Sequence, residues 1–331
     1  MAAELKGRRV LVTGAGGFIG SHLTEALVGA GARVRALVHY NSRGDWGHLE
    51  RLDTAVRAEI EIAAGDIRDP FYVAEAARDA EVIFHLAALI PIPYSYRAPQ
   101  EYLETNIRGT LNLLEAARRH GTARVIHTST SETYGTATYT PIDERHPLQG
   151  QSPYSASKIG ADKLAESYFC SFGTPVVTIR PFNAYGPRQS ARAFLPTVLS
   201  QALTQDVVRV GSLDPVRDMN YVGDTVDGFV RAATAPGIEG SVINLGSGRG
   251  VTMRQLLELA LSATGRKVRV ECDDARMRPE KSEVMELICD ATRARATLGW
   301  ESRVTLEEGV RRTASWIADH LSDYKPNLYN V

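Results

Sequence analysis

The sequence predicts an α/β protein built on a doubly wound parallel sheet with helices on both faces, followed by a smaller C-terminal α/β domain. Three observations predict it. Short β-rich runs alternate with helix-length stretches through the first half of the chain, the signature of βαβ units. A glycine-spaced turn, Gly14-x-x-Gly17-x-x-Gly20, joins the first run to the first helix. Past Arg180 the rhythm breaks at Pro181, Gly186-Pro187 and Pro196.

In order, the expected strands are Arg9 to Thr13, Arg33 to His39, Glu59 to Ala63, Val82 to Leu86, Arg124 to Thr128 and Val176 to Arg180. Each is short and rich in β-branched and aliphatic residues. Helices are expected over Ile19 to Ala30, Pro70 to Ala77, Gln100 to His120 and Tyr154 to Phe172. Right-handed crossovers place them on both faces of the sheet. An amphipathic helix from Leu195 to Thr204 belongs to the second domain, so the division is expected at 1–180 and 181–331. Val242-Ile243-Asn244-Leu245-Gly246 reads as one more strand, and a segment near 218–248 is expected to return to the main sheet.

Composition narrows the function. Lys plus Arg total 38 against 39 Asp plus Glu, so the chain as a whole carries no footprint for nucleic acid or an anionic membrane. Anionic ligands must be held by local arginines. Cys170, Cys272 and Cys289 lie far apart with no metal-ligand spacing, which fits a reduced cytoplasmic protein without structural zinc. The polar start of the chain and the lack of a long apolar run predict a soluble protein with no signal peptide and no membrane span.

Gly14, Gly17 and Gly20 allow a tight turn and close backbone approach to a pyrophosphate, while the helix start at Phe18 and Ile19 turns N–H groups toward the anion. A purely structural strand-to-helix turn uses glycines too. Asp66-Ile67, after the third strand, places a carboxylate where an adenine amino group is expected; a turn-forming aspartate is the alternative. The second strand ends His39-Tyr40-Asn41-Ser42-Arg43, without the acidic residue that rejects a ribose 2′-phosphate. His39 and Arg43 can even attract one, so NAD is favoured and NADP stays open.

Tyr154 and Lys158 fall on one face of a helix, one turn apart. An ammonium beside a phenol, next to a cationic nicotinamide, lowers the phenol pKa and makes it a usable base. Thr130 follows the fifth strand. The glycine turn, Thr130 and the Tyr/Lys pair therefore converge on the carboxyl edge of the sheet, where such folds bind ligands.

With these motifs the chain resembles an extended short-chain dehydrogenase/reductase of the NAD-dependent nucleotide-sugar epimerase/dehydratase family, whose nucleotide-binding domain is a Rossmann fold. The likeness runs through Thr13–Gly20, His85-Leu86-Ala87-Ala88, Tyr154-Ser155-Ala156-Ser157-Lys158, Arg180–Pro187, Arg217–Val222 and Leu298-Gly299-Trp300. The resemblance implies an NAD(P)-binding first domain, with Leu86, Ala87 and Ala88 beside the cofactor, and a nucleotide-sugar-binding second domain. It implies a triad of Thr130, Tyr154 and Lys158 at the sugar 4-hydroxyl.

Ser129-Thr130-Ser131-Glu132 resembles the corresponding stretch of GDP-mannose 4,6-dehydratases; glucose-type enzymes usually carry aspartate where this chain has Ser131. The implied role of Glu132 is the base that takes the carbon 5 proton, with Ser131 relaying a proton to the leaving hydroxyl. Arg217 and Arg278 are the better expected diphosphate ligands among Arg188, Arg192, Arg217 and Arg278. Asn183 and Ser95 are expected near the sugar, and Phe194 near the nucleobase. Stretches around 127–135, 147–153 and 276–284 resemble N-acetylglucosamine nucleotide 4,6-dehydratases of legionaminic-acid-type pathways, which implies UDP- or GDP-N-acetylglucosamine. A UDP-glucuronate decarboxylase, a 4-epimerase and a cofactor-sensing binding protein are the alternatives. The expected assembly is a homodimer through the helices around Gln100–His120 and Tyr154–Phe172.

Overall fold

The computed structural model describes residues 2–328. Seven strands form one parallel sheet: β1 (Arg9–Thr13), β2 (Arg33–His39), β3 (Ile60–Gly65), β4 (Val82–His85), β5 (Arg124–Thr128), β6 (Val176–Pro181) and, from much later in the chain, Val242–Leu245. Between β6 and that last strand come β7 (Asn183–Tyr185), β8 (Val207–Val210) and β9 (Val216–Tyr221), which makes Val242–Leu245 β10. The order across the sheet is β10-β6-β5-β4-β1-β2-β3, so the winding reverses between β1 and β4. At that switch the carboxyl ends of two strands diverge and leave a crevice.

Successive side chains of β1 point to opposite faces, and both faces are covered. Val10 and Val12 pack with Leu23 and Leu27 of the helix Phe18–Gly29 and with Val226 and Phe229 of the helix Val222–Thr234. Leu11 packs on the other side with Leu113 and Leu114 of Gly109–His120 and Ala165 and Tyr168 of Pro153–Phe172. This is the doubly wound Rossmann arrangement expected from the sequence.

Only part of the 218–248 segment enters the large sheet. β10 pairs with β6, whereas β9 joins a small sheet with β7, β11 (Gly250–Thr252) and β13 (Glu286–Leu287). β8 and β12 (Arg269–Cys272) form a separate parallel pair. The helices Phe194–Thr204, Met253–Thr264 and Leu306–Asp319 share a third core around Val198, Leu256 and Val310.

The helix expected over Gln100 to His120 is not uniform. A short turn, Pro99–Tyr102, leads into a π-helical stretch, Leu103–Arg108, and then the α-helix Gly109–His120. Asn106, inside the widened stretch, bonds both Leu89 backbone groups and Ser157 Oγ, fastening it to the neighbouring loop and helix. Among the described residues no helix is long and apolar enough to cross a membrane.

Candidate active site

The crevice at the switch point is a cavity of about 790 Å³, large enough for a dinucleotide and a substrate to share. Its floor is set by β1 and β4. Thr13 Oγ1 accepts the N–H groups of Leu86 and Ala87, each at 3.1 Å, and meets His85 Nδ1 at 2.9 Å. Gly14 follows with φ +69°, and a Cβ there would lie 2.8 Å from Ala87 N. At Gly20 a Cβ would come within 2.2 Å of Gly14 O. The helix beginning at Phe18 has no side-chain cap, so its first N–H groups remain available to an anion over the turn. These residues fit a dinucleotide diphosphate.

Gly14, Gly17, Phe18, Ile19, Gly20, His39, Arg43, Leu86, Ala87 and Ala88 all line this cavity. Asp66 and Ile67 do not. Both Asp66 oxygens take the Arg68 guanidinium, at 2.6 to 3.0 Å, and that bond holds the carboxyl below its usual range. Ile67 packs under Gly109, where a Cβ would lie 2.9 Å from its Cγ2. The wall instead includes Asn41, Asp45 and Trp46, which sequence reasoning missed. Asn41 Oδ1 accepts the N–H groups of Arg43 and Asp45 and folds this loop back, and His48 N reaches Gly16 O at 3.0 Å. The turn formers Asn41 and Gly44 signalled a loop; nothing in the pattern told which way it folds.

The residues expected to react lie around the end of β5. Thr130 caps the short turn Ser131–Tyr134, accepting Glu132 N at 3.2 Å. Ser152 caps the helix Pro153–Phe172 with a reciprocal Ser152/Ser155 box, worth about 1 kcal/mol, so Tyr154 and Lys158 sit on its first turns in a fixed frame. Thr130, Ser131, Glu132, Tyr154 and Lys158 all face the cavity. Burial pushes the Tyr154 phenol well above its ordinary range, and its bond to Thr130 pulls it back in part. Lys158 does not bond the phenol: Nζ donates to Thr128 O at 2.7 Å, and burial lowers it to about 8 against the opposing pull of Asp162.

The expected substrate residues divide. Asn183, Arg192 and Arg278 line the cavity. Arg217 is buried behind it, donating to Glu283 at 3.3 Å. Ser95 is fully buried, its hydroxyl donated to Ile92 O, and Phe194 packs into the third core. Arg188 turns away, pairing with Glu25 at 2.8 Å and lying over the Trp316 ring.

The GDP-mannose 4,6 dehydratase family model matches residues 11–313. The chain belongs to that family. This family member is 35% identical to the UDP-glucose 4-epimerase of Mycolicibacterium smegmatis, over 93% of the chain and 98% of the relative. It is also 35% identical to the dTDP-glucose 4,6-dehydratase of Streptomyces griseus, over 96% of each. The dTDP-glucose 4,6-dehydratase DesIV of Streptomyces venezuelae, solved with NAD bound, superposes with a TM-score of 0.87 at 29% identity, covering 96% of this chain and 99% of that one.

Proposed function

We propose that this family member is an NAD-dependent nucleotide-sugar 4,6-dehydratase acting on UDP- or GDP-N-acetylglucosamine. The observation that carries the reading is Glu132: a carboxylate on the cavity wall beside Thr130 and Tyr154, where an epimerase needs no second base. Residues 1–180, with β10, hold the cofactor in this reading, and 181–331 supply most of the substrate contacts.

NAD, when bound, would supply the transient acceptor for the hydride that leaves carbon 4 and returns to carbon 6, and a positive ring that lowers the Tyr154 phenol. Thr130 orients the sugar 4-hydroxyl, and Tyr154 takes its proton. The resulting 4-ketone acidifies carbon 5, whose proton Glu132 removes. Water leaves from carbon 6, its proton coming from Glu132 or through Ser131. The unsaturated sugar has to stay in the cavity until hydride reaches carbon 6. Arg278 on the cavity wall holds the diphosphate, with Arg217 behind it and Arg192 on the same wall. Leu103, Leu111 and Phe172 stand exposed along the helices of the expected dimer contact.

A 4-epimerase is the second reading, favoured by the 35% identity to a UDP-glucose 4-epimerase. The test is product mass after incubation with UDP-N-acetylglucosamine, GDP-N-acetylglucosamine, UDP-glucuronate and GDP-mannose, with NAD and with NADP. Loss of one water supports the dehydratase and names its nucleotide; an isomer of equal mass supports the epimerase, and loss of carbon dioxide a decarboxylase.

A further inference from the structure

Two buried groups of the helix Pro153–Phe172 dock on the same three residues of the β5 end. Lys158 Nζ donates to the Thr128 carbonyl at 2.7 Å. One turn along, Asp162 is bonded by the side chains on either side of Thr128: Ser129 Oγ donates at 2.7 Å, and His127 Nε2 lies 3.0 Å away. Asp162 Oδ2 also accepts Arg180 Nε and Nη2 from β6, at 3.2 and 2.8 Å. Lys158 is 4% exposed, Asp162 5% and Arg180 4%. Residues four apart share a helix face, so the carboxylate and the ammonium face the same β5 end, with no direct ion pair between them.

We propose that Asp162 is a positioning residue for Lys158: its carboxylate is the buried countercharge that keeps the lysine an ammonium, and through Ser129 it fixes Thr130 against the helix that carries Tyr154. The proposal rests on Tyr154 and Lys158 being the reacting pair. The groups that face this spot are Tyr154 and Asp162 on the lysine's own helix, His127 on β5, His85 on β4, Arg180 on β6 and Glu132 on the turn after β5. Burial lowers both histidines and so favours their neutral forms. Glu132 acts on Tyr154 and Arg217 at the cavity side. That leaves Asp162 as the anion serving both Arg180 and Lys158; burial pushes its carboxyl up, and the His127 hydrogen bond together with the neighbouring positive charges, Arg180 first, outweighs that and holds it ionised.

Removing the carboxylate alone strands Arg180, so the deciding variant is D162N/R180M, in which both buried charges go together. The Lys158 ammonium is followed against pH by NMR on lysine-labelled protein, its signal assigned by loss in Lys158→Met. In D162N/R180M the midpoint is expected to fall by about one unit or more, and the alkaline limb of kcat/KM to fall with it. Asp162→Glu keeps the charge but changes its reach; it is expected to hold the midpoint and lower kcat with KM little changed. An unmoved midpoint in D162N/R180M, or an equal fall in Asp162→Glu, overturns the proposal. The titration needs no turnover, so an enzyme inert on nucleotide sugars sinks the catalytic reading and leaves this test standing.

Discussion

Arg217 Nη2 donates to Glu283 Oε1 at 3.3 Å, and Arg278 Nη1 reaches the same oxygen at 3.4 Å. One carboxylate thus holds two guanidiniums together, Arg278 on the cavity wall and Arg217 buried behind it.

If the diphosphate displaces Glu283, the arginines are the groups whose loss weakens binding. Arg278, the more exposed of the two, gives the cleaner variant. Arg278→Met is expected to raise KM for the nucleotide sugar roughly tenfold to a hundredfold, the worth of one charge-assisted bond, with a smaller change in kcat. Steady-state kinetics check it; an unchanged KM places the diphosphate elsewhere.

Glu132→Gln keeps the size of the side chain and removes the carboxylate proposed as the base. Oxidation at carbon 4 is expected to proceed for a single turnover, leaving reduced cofactor and a 4-keto sugar, while water loss drops about a hundredfold or more. Stopped-flow absorbance with quenched product analysis separates the steps. Undiminished dehydration removes Glu132 from the mechanism.

The two glycines of the helix Phe18–Gly29 are expected to behave oppositely. Gly20→Ala puts a Cβ 2.2 Å from Gly14 O, so the turn must shift and NAD affinity is expected to fall at least tenfold, read by calorimetry. At Gly29 a Cβ meets nothing within 4 Å, and the exposed last helical residue gains from alanine. Gly29→Ala is expected to stabilise the fold by about 0.5–1 kcal/mol in urea, with NAD affinity unchanged.

His22 and His48 are both lowered to about 4, first by burial and then by the Arg188 guanidinium. In the unfolded chain an imidazole protonates near pH 6.5. Between these values the unfolded chain binds protons that the folded one does not, so stability falls as pH drops from about 6.5 toward 4. Thermal melts across that window are expected to show a declining Tm, and His48→Gln to flatten the decline. A Tm that holds steady down to pH 4 contradicts the assignment.

What was legible in the sequence was what repeats or what glycine must do. The six strands of the first half were found to within two residues, because buried parallel strands leave continuous aliphatic runs. The turn at Gly14 and the pairing of Tyr154 with Lys158 on one helix face were legible for the same kind of reason: local geometry fixes them. Side-chain direction was not. Ser95 and Phe194 carry suitable chemistry but pack inward, and Asp66 is taken by Arg68, two residues away. The bond between Asn106 and Ser157 and the cluster of Asp162, His127 and Arg180 join segments 18 to 51 residues apart, and only the folded chain brings them together.

The most direct test of dehydratase chemistry follows the hydrogen of carbon 4. With nucleotide N-acetylglucosamine carrying deuterium there, the account predicts a dehydrated product with the deuterium on carbon 6, as resolved by NMR. Deuterium retained on carbon 4 of an isomer of unchanged mass would contradict it and establish an epimerase.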